Sequence, residues 1–92
     1  MTDKLVQEIL IDVSEDEAPK PFEIILAQLA RLKKGEYIRM LHRKQPLPLL
    51  QMLDENGFSF RMFSGTQTPW EIIIWSKQDL LTHEFCNASF SA

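Results

Sequence analysis

The stretch DVSEDEAPKP, Asp12 to Pro21, decides how the rest of this chain is interpreted. It follows an alternating apolar run, Ile9 to Val13, and leads into the most clearly amphipathic part of the sequence. Proline fixes φ and lacks an N–H, so Pro19 and Pro21 suit a first helical turn and no deeper position. The stretch is therefore predicted to join a strand to a helix whose N-terminal N–H groups could hold an anion or a reactive group. The acids Glu15 to Glu17 favour the same helix end, which is an alternative, purely structural reason for the pattern.

Composition and charge are those of one ordinary globular domain. The chain has 92 residues, of which 45% are hydrophobic and 25% charged, with a net charge of −3. No apolar run approaches the roughly 20 residues of a membrane helix, and the N-terminus lacks the features of a signal peptide. Cys86 is the single cysteine, so an intramolecular disulfide is impossible. We expect a cytoplasmic protein with no membrane association, and the acidic balance argues against nucleic-acid binding.

Hydrophobic periodicity predicts the element order β-α-β-α-β-β. Period-two alternation indicates strands, and apolar residues three and four apart indicate helices. The run WEIIIW has so few polar residues that it is expected to be a central strand. Since a helix links the first two strands, these are predicted to be parallel. The predicted elements are strand Glu8–Val13, helix Pro21–Lys34 ended by Gly35, strand Glu36–Leu41, helix Pro46–Asn56 ended by Gly57, a strand opening at Phe58, and strand Trp70–Trp75.

The composition changes after residue 76, so we expect a domain over residues 1–76 and a tail over residues 77–92. Ser76 with Asp79 could cap a short helix that contains Leu80, Leu81 and Phe85, whereas the terminal NASFSA is expected to be frayed. A sheet with helices on one face leaves the other face open. Its apolar residues then need the tail or a second copy of the chain as a cover; these are Leu10, Leu41, Phe63 and Ile73.

Two segments together suggest a family. They are IDVSEDEAPKPFEIILAQLARLKKGEYIRML, from Ile11 to Leu41, and PLPLLQMLDENGFSF, from Pro46 to Phe60. The chain resembles the TusA/SirA-like sulfur-carrier superfamily over about Ile9 to Ser76, and is closest to the branch catalogued as domain of unknown function 2249. The resemblance implies an α/β two-layer sandwich with a four-stranded mixed sheet in the order 1-2-4-3 and two helices on one face.

The sequence departs from the sulfur carriers at their chemical centre. The resemblance places a Cys immediately before the first proline, where a helix N-terminus would stabilise its thiolate. Here that position is Ala18. Alanine carries no nucleophile, so no sulfur transfer is expected at this site, and we predict no enzymatic activity and no cofactor.

The loops after the first two strands should converge, because parallel strands place their carboxyl ends at the same edge of a sheet. Two helix N-termini with basic side chains suit a small anion or the carboxylates of a protein partner. An alternative is a solvated rim whose acids and bases pair weakly. The predicted binding residues are Asp12, Ala18, Pro19, Lys20, Pro21, His42, Arg43, Lys44, Pro46 and Pro48.

Three functions stay open from the sequence. The leading one is a non-catalytic binding or adaptor domain that uses these residues, with His42 as a partner contact, a general base or a metal ligand. The second is a sulfur relay through Cys86. The third, a nucleic-acid-binding module, is disfavoured by the acidic charge. His83 and Cys86 could also bind a metal if that segment is helical, although a zinc site requires three or four ligands.

Overall fold

Four strands form one mixed sheet in the order β1-β2-β4-β3. The β1–β2 pair is parallel, and the β2–β4 and β3–β4 pairs are antiparallel. The fold is taken from a computed structural model that describes residues 6–90, and it confirms the predicted α/β class and strand order. The elements are β1 (Gln7–Asp12), α1 (Lys20–Leu29), β2 (Glu36–His42), α2 (Leu47–Glu55), β3 (Phe58–Ser64), β4 (Trp70–Ser76) and α3 (Leu80–Phe90).

The main hydrophobic core lies between one face of the sheet and the helices α1 and α2. Alternate residues of each strand point to the same face, so Ile38 and Met40 of β2 lie beside Ile72 and Ile74 of β4, and all four are fully buried. The helices contribute side chains at intervals of three and four residues, as an amphipathic helix requires. These include Phe22, Ile25 and Leu29 of α1 and Leu49, Leu50 and Leu53 of α2.

The other face of the sheet is covered by α3. Cys86 of this helix packs with Tyr37, Ile73 and Trp75 in a second hydrophobic cluster. The prediction of two helices on one face is confirmed, and the expected tail is a third helix on the opposite face. The predicted fraying of NASFSA is wrong for residues 87–90, which form the last turn of α3; residues 91 and 92 lie outside the described range.

The expectation of an open sheet face is correspondingly wrong for most of its residues. Ile73 and Leu41 are buried, and Phe63 stacks on Phe90 of α3. Leu10, on the edge strand β1, remains 59% exposed. The cover is therefore largely internal to the chain, and it stops short of the β1 edge.

The helix α1 is shorter than predicted, since it ends at Leu29 and not at Lys34. The amides of Arg31 and Leu32 bond to carbonyls three residues earlier, at Gln28 and Leu29, which tightens the chain out of the α-helix. Gly35 still has the positive φ, 87°, that a turn before β2 uses. The other predicted boundaries with two stated ends agree to within one residue. None of the described helices combines the length and apolarity needed to cross a membrane.

Candidate functional site

A cavity of about 310 Å³ lies between the N-termini of α1 and α2. It forms because β1 and β2 end side by side: the Val13 amide donates to the Leu41 carbonyl over 2.9 Å, and each strand then turns toward its helix. The convergence predicted from parallel strands is therefore present. Eight of the ten predicted site residues line the cavity, namely Ala18, Pro19, Pro21, His42, Arg43, Lys44, Pro46 and Pro48.

Asp12 and Lys20, the other two predicted residues, do not line the cavity. Asp12 Oδ1 accepts hydrogen bonds from the Ser14 amide, over 2.9 Å, and from the Ser14 hydroxyl, over 2.6 Å. These bonds lower the pKa of Asp12. Asp12 therefore stabilises the turn after β1, and Lys20 points instead to Asp16, 3.7 Å away.

The Pro-Lys-Pro start of α1 leaves one backbone donor for the cavity. Pro19 and Pro21 have no N–H, and the Lys20 amide donates to the Glu17 carbonyl over 2.9 Å. The Phe22 amide is the next in the first turn, and no residue between 6 and 90 accepts from it. First-turn N–H groups point out of the helix N-terminus, which here is the direction of the cavity that Phe22 lines.

The Pro-Leu-Pro start of α2 repeats the arrangement. Pro46 and Pro48 provide no N–H, and the Leu47 amide donates to the Gln45 carbonyl over 3.0 Å. The Leu49 amide has no acceptor in the described part of the chain, and Leu49 also lines the cavity. Neither helix has a side-chain cap. Two unpaired donors from two helix dipoles thus meet at one cavity.

His42 lies between these two helix starts, at the end of β2. It alternates with Ile38 and Met40 and so points to the helix side of the sheet. It is only 8% exposed, which corrects the expectation that it belongs to the solvated rim. The cause is that β2 continues to residue 42 and pairs it with Trp70 of β4.

The hydrogen bonding of the His42 ring defines its protonation. Nδ1 accepts from the Lys44 amide over 3.1 Å, so the proton of the neutral ring is on Nε2. Burial, together with the charges of Arg43 and Lys44, holds the pKa of His42 below its usual value of 6.5. Nε2 has no partner among residues 6–90, and no fully buried side-chain polar atom there lacks one, so Nε2 is accessible from the cavity that His42 lines.

The charged rim consists of acids and bases that pair weakly, as the alternative interpretation expected. Arg43 Nη2 is 3.8 Å from Glu17 Oε2, and both side chains are exposed. Such a pair contributes little to stability. Lys44 has no acid within 4.0 Å among the described residues. The weakly paired rim therefore surrounds a cavity whose interior is mostly apolar.

The second group of candidates, His83 and Cys86, does not form a metal centre. His83 Nδ1 accepts from Trp75 Nε1 over 2.9 Å, and its Nε2 lies 3.0 Å from Asn87 Nδ2. Burial, with a contribution from Asp79, raises the pKa of the Cys86 thiol to about 12. Across residues 6–90 no three His, Cys, Asp or Glu side chains converge as metal ligands.

Sequence reasoning missed the two unpaired donors, Phe22 and Leu49. It placed weight on side chains, whereas the donors here are backbone groups. The signal was present, since each residue directly follows a Pro-x-Pro, and that position is the first whose N–H is neither absent nor already bonded.

Comparison with known proteins gives one match. The model of a family described as "Uncharacterized conserved protein (DUF2249)" matches residues 10–76. The matched region runs from β1 to the end of β4, so it includes the whole cavity and stops before α3. No curated protein and no solved structure matches the chain.

Proposed function

This chain belongs to the DUF2249 family, and we propose that it is a non-catalytic binding or adaptor domain whose site is the cavity between α1 and α2. The observation that carries the proposal is the donor set around that cavity. Two unpaired backbone amides and the accessible Nε2 of a buried histidine face the same apolar space. Unpaired donors beside two helix N-termini are suited to an anionic group.

A binding role is favoured over catalysis by the chemistry of the lining. Among the residues that line the cavity no side chain is a thiol or a hydroxyl. The position that a cysteine takes in the sulfur carriers that the sequence resembles is Ala18, at the mouth of the cavity. Cys86 belongs to the cluster on the opposite face of the sheet and is fully buried. Nothing at the site thus provides a nucleophile for sulfur transfer, and the buried thiol does not favour a relay.

The ligand is either a small anion or an anionic group on a protein partner in the cytoplasm. Both possibilities use the same contacts, namely the donors of Phe22 and Leu49 with His42 between them. Arg43 and Lys44 at the rim add positive charge where a partner would approach. The proposal requires no conformational change, because the donors are already unpaired.

The test is an amide-resolved NMR titration of the ¹⁵N-labelled chain with formate, acetate and inorganic phosphate. We expect the amides of Phe22 and Leu49 to shift most. Those of Lys20 and Leu47 serve as internal controls, since they donate to carbonyls of the same turns. Absence of any shift at Phe22 and Leu49 with all three anions would show that the cavity is not an anion site.

A pair of variants with equal charge change sharpens this test. Ala18→Asp places a carboxylate at the mouth of the cavity, whereas Ala27→Asp places one on the exposed middle of α1. We expect only Ala18→Asp to weaken anion binding, because repulsion between exposed charges falls off within roughly 10 Å at ordinary salt. Equal effects of the two variants would contradict the assignment of the site.

A further inference from the structure

The polar groups that the cavity offers are all donors. The amides of Phe22 and Leu49 are donors by nature, and His42 is made a donor by its neighbour. Since the Lys44 amide occupies Nδ1, Nε2 must carry the proton of the neutral ring. His42 is more than nine-tenths buried and presents this N–H to the cavity it lines. A ligand that satisfies all three groups must provide acceptors alone.

The charges around the cavity select among acceptor ligands. Arg43 and Lys44 provide two positive charges, and Asp16 and Glu17 provide two negative ones. The rim is therefore formally neutral, and His42 adds no charge in its neutral state. Sites that hold a phosphate dianion usually gather several Arg or Lys side chains. A neutral rim with two helix dipoles is better matched to a monoanion.

The interior of the cavity is lined mainly by apolar groups. Pro21, Phe22, Met40, Pro48 and Leu49 form its walls. Its volume of about 310 Å³ is at the lower end of the roughly 300–1,000 Å³ usual for small-molecule sites. A bare inorganic anion would leave most of this apolar surface in contact with water, whereas an organic body would bury it.

We infer that the ligand of this site is a monocarboxylate attached to a short apolar body, with both oxygens accepting from Phe22, Leu49 and His42. This inference deepens the proposed function and rests on it. A free carboxylic acid of about six carbons and the C-terminal carboxylate of a partner that ends in an apolar residue share this chemistry.

The experiment compares four probes on the intact ¹⁵N-labelled chain: hexanoate, hexanamide, inorganic phosphate, and a tripeptide ending in leucine as free acid. We expect hexanoate to shift the amides of Phe22 and Leu49 and to bind at least tenfold more tightly than hexanamide. A charge-assisted hydrogen bond is worth about 1.5–3 kcal/mol, which corresponds to roughly tenfold or more. We expect phosphate to bind more weakly than hexanoate.

Substitutions at position 42 test the donor role. His42→Gln keeps an N–H at a similar distance from the backbone, whereas His42→Phe keeps the ring and removes the donor. We expect hexanoate affinity to fall at least tenfold in His42→Phe and to stay within about threefold in His42→Gln. The comparison of hexanoate with hexanamide in the wild-type chain decides the matter even if a variant fails to fold.

The outcomes separate the two levels of the proposal. If phosphate shifts the Phe22 and Leu49 amides and binds as tightly as hexanoate, the cavity is an anion site and the inference of a carboxylate on an apolar body is wrong. Equal affinity for hexanoate and hexanamide also overturns the inference. If no probe shifts these amides, the proposed function fails as well. Where the inference holds, tighter binding of the tripeptide than of hexanoate identifies a protein C-terminus as the source, and the reverse identifies a free acid.

Discussion

The Gly35 amide donates a 2.7 Å hydrogen bond to Asp79 Oδ2, which joins the turn before β2 to the start of α3 across 44 positions. Asp79 also accepts from the hydroxyl of Thr82 over 2.7 Å and from its amide over 3.3 Å. Asp79 therefore caps α3 and fixes it to the sheet at the same time. Burial raises the pKa of its carboxyl, but these three hydrogen bonds outweigh burial and the net pKa is lowered.

Asp79→Ala should destabilise the fold by about 1–3 kcal/mol, because the Gly35 amide and the Thr82 hydroxyl lose a buried partner. Urea denaturation monitored by tryptophan fluorescence measures this. Asp79→Asn keeps one acceptor oxygen and should lose less. Since the folded pKa is lowered, the carboxylate contributes stability that is present above its unfolded value of about 3.9 and lost as pH falls through the folded pKa. Equal stability of wild type and Asp79→Ala at pH 7 would contradict the cap.

Removal of residues 77–92 should destabilise the domain, although the sequence pattern places the domain boundary at residue 76. Without α3, Trp75 and Ile73, both fully buried, and Tyr37 would face water. Burial of such a side chain is worth about 1.5–3 kcal/mol, so we expect a loss of at least about 3 kcal/mol. Urea midpoints and sedimentation of the 1–76 fragment provide the check. An unchanged midpoint in a monomeric fragment would show that α3 is dispensable.

The sheet was predictable because its pattern is local. Alternation in β1 and β2, the near-continuous apolar run of β4 and one helix between β1 and β2 determine which strands are parallel and which is central. The role of α3 was not predictable from a helical apolar stripe, because its inward face includes Thr82 as well as Cys86. Thr82 is tolerated there only because Asp79 bonds its hydroxyl. Its outward face meanwhile exposes Leu80 and Leu81.

The site was predictable in position and not in detail. Each Pro-x-Pro indicated a helix N-terminus, and parallel strands required the two to meet. The burial of His42 depends on one more residue of pairing between β2 and β4 than the pattern indicated. The bond from the Lys44 amide to Nδ1 depends on the backbone of the following turn. Neither feature is encoded in residue type or spacing.

Cys86 should be unreactive in the folded protein. Its thiol is fully buried and its pKa is raised to about 12, so almost no thiolate exists at pH 7. We expect reaction with Ellman's reagent to be at least a hundredfold slower in native buffer than in 6 M guanidinium chloride, where one thiol per chain should react. Fast native labelling at pH 7 would contradict this burial and reopen the sulfur-relay interpretation.

Ala18→Cys should create a reactive thiol at the N-terminus of α1. The helix dipole and the nearby Arg43 favour the thiolate, so we expect a thiol pKa below the usual value of about 8.5. The rate of iodoacetamide alkylation as a function of pH measures it. Ala27→Cys, exposed in the middle of the same helix, is the matched control and should titrate near the usual value. Identical pKa values for the two thiols would show that the helix start does not act on position 18.

His42 should titrate below its usual value of 6.5, because burial and the charges of Arg43 and Lys44 all disfavour the imidazolium. NMR titration of the ring protons measures the midpoint. Arg43→Gln and Lys44→Gln should each raise it, whereas Lys33→Gln, a control with the same charge change in the turn before β2, should not.

The lowered pKa of His42 also sets the sign of a stability change with pH. Between the folded pKa and about 6.5 the unfolded state binds the proton and the folded state does not. The contribution of His42 to stability is therefore fully present above pH 6.5 and declines as pH falls through that window, levelling off below the folded pKa. His42→Gln lacks this contribution, so the difference in unfolding free energy between wild type and variant should shrink as pH decreases. A His42 midpoint at or above 6.5, or a difference that grows toward acid pH, would mean that the ring is not held neutral between the two helix starts.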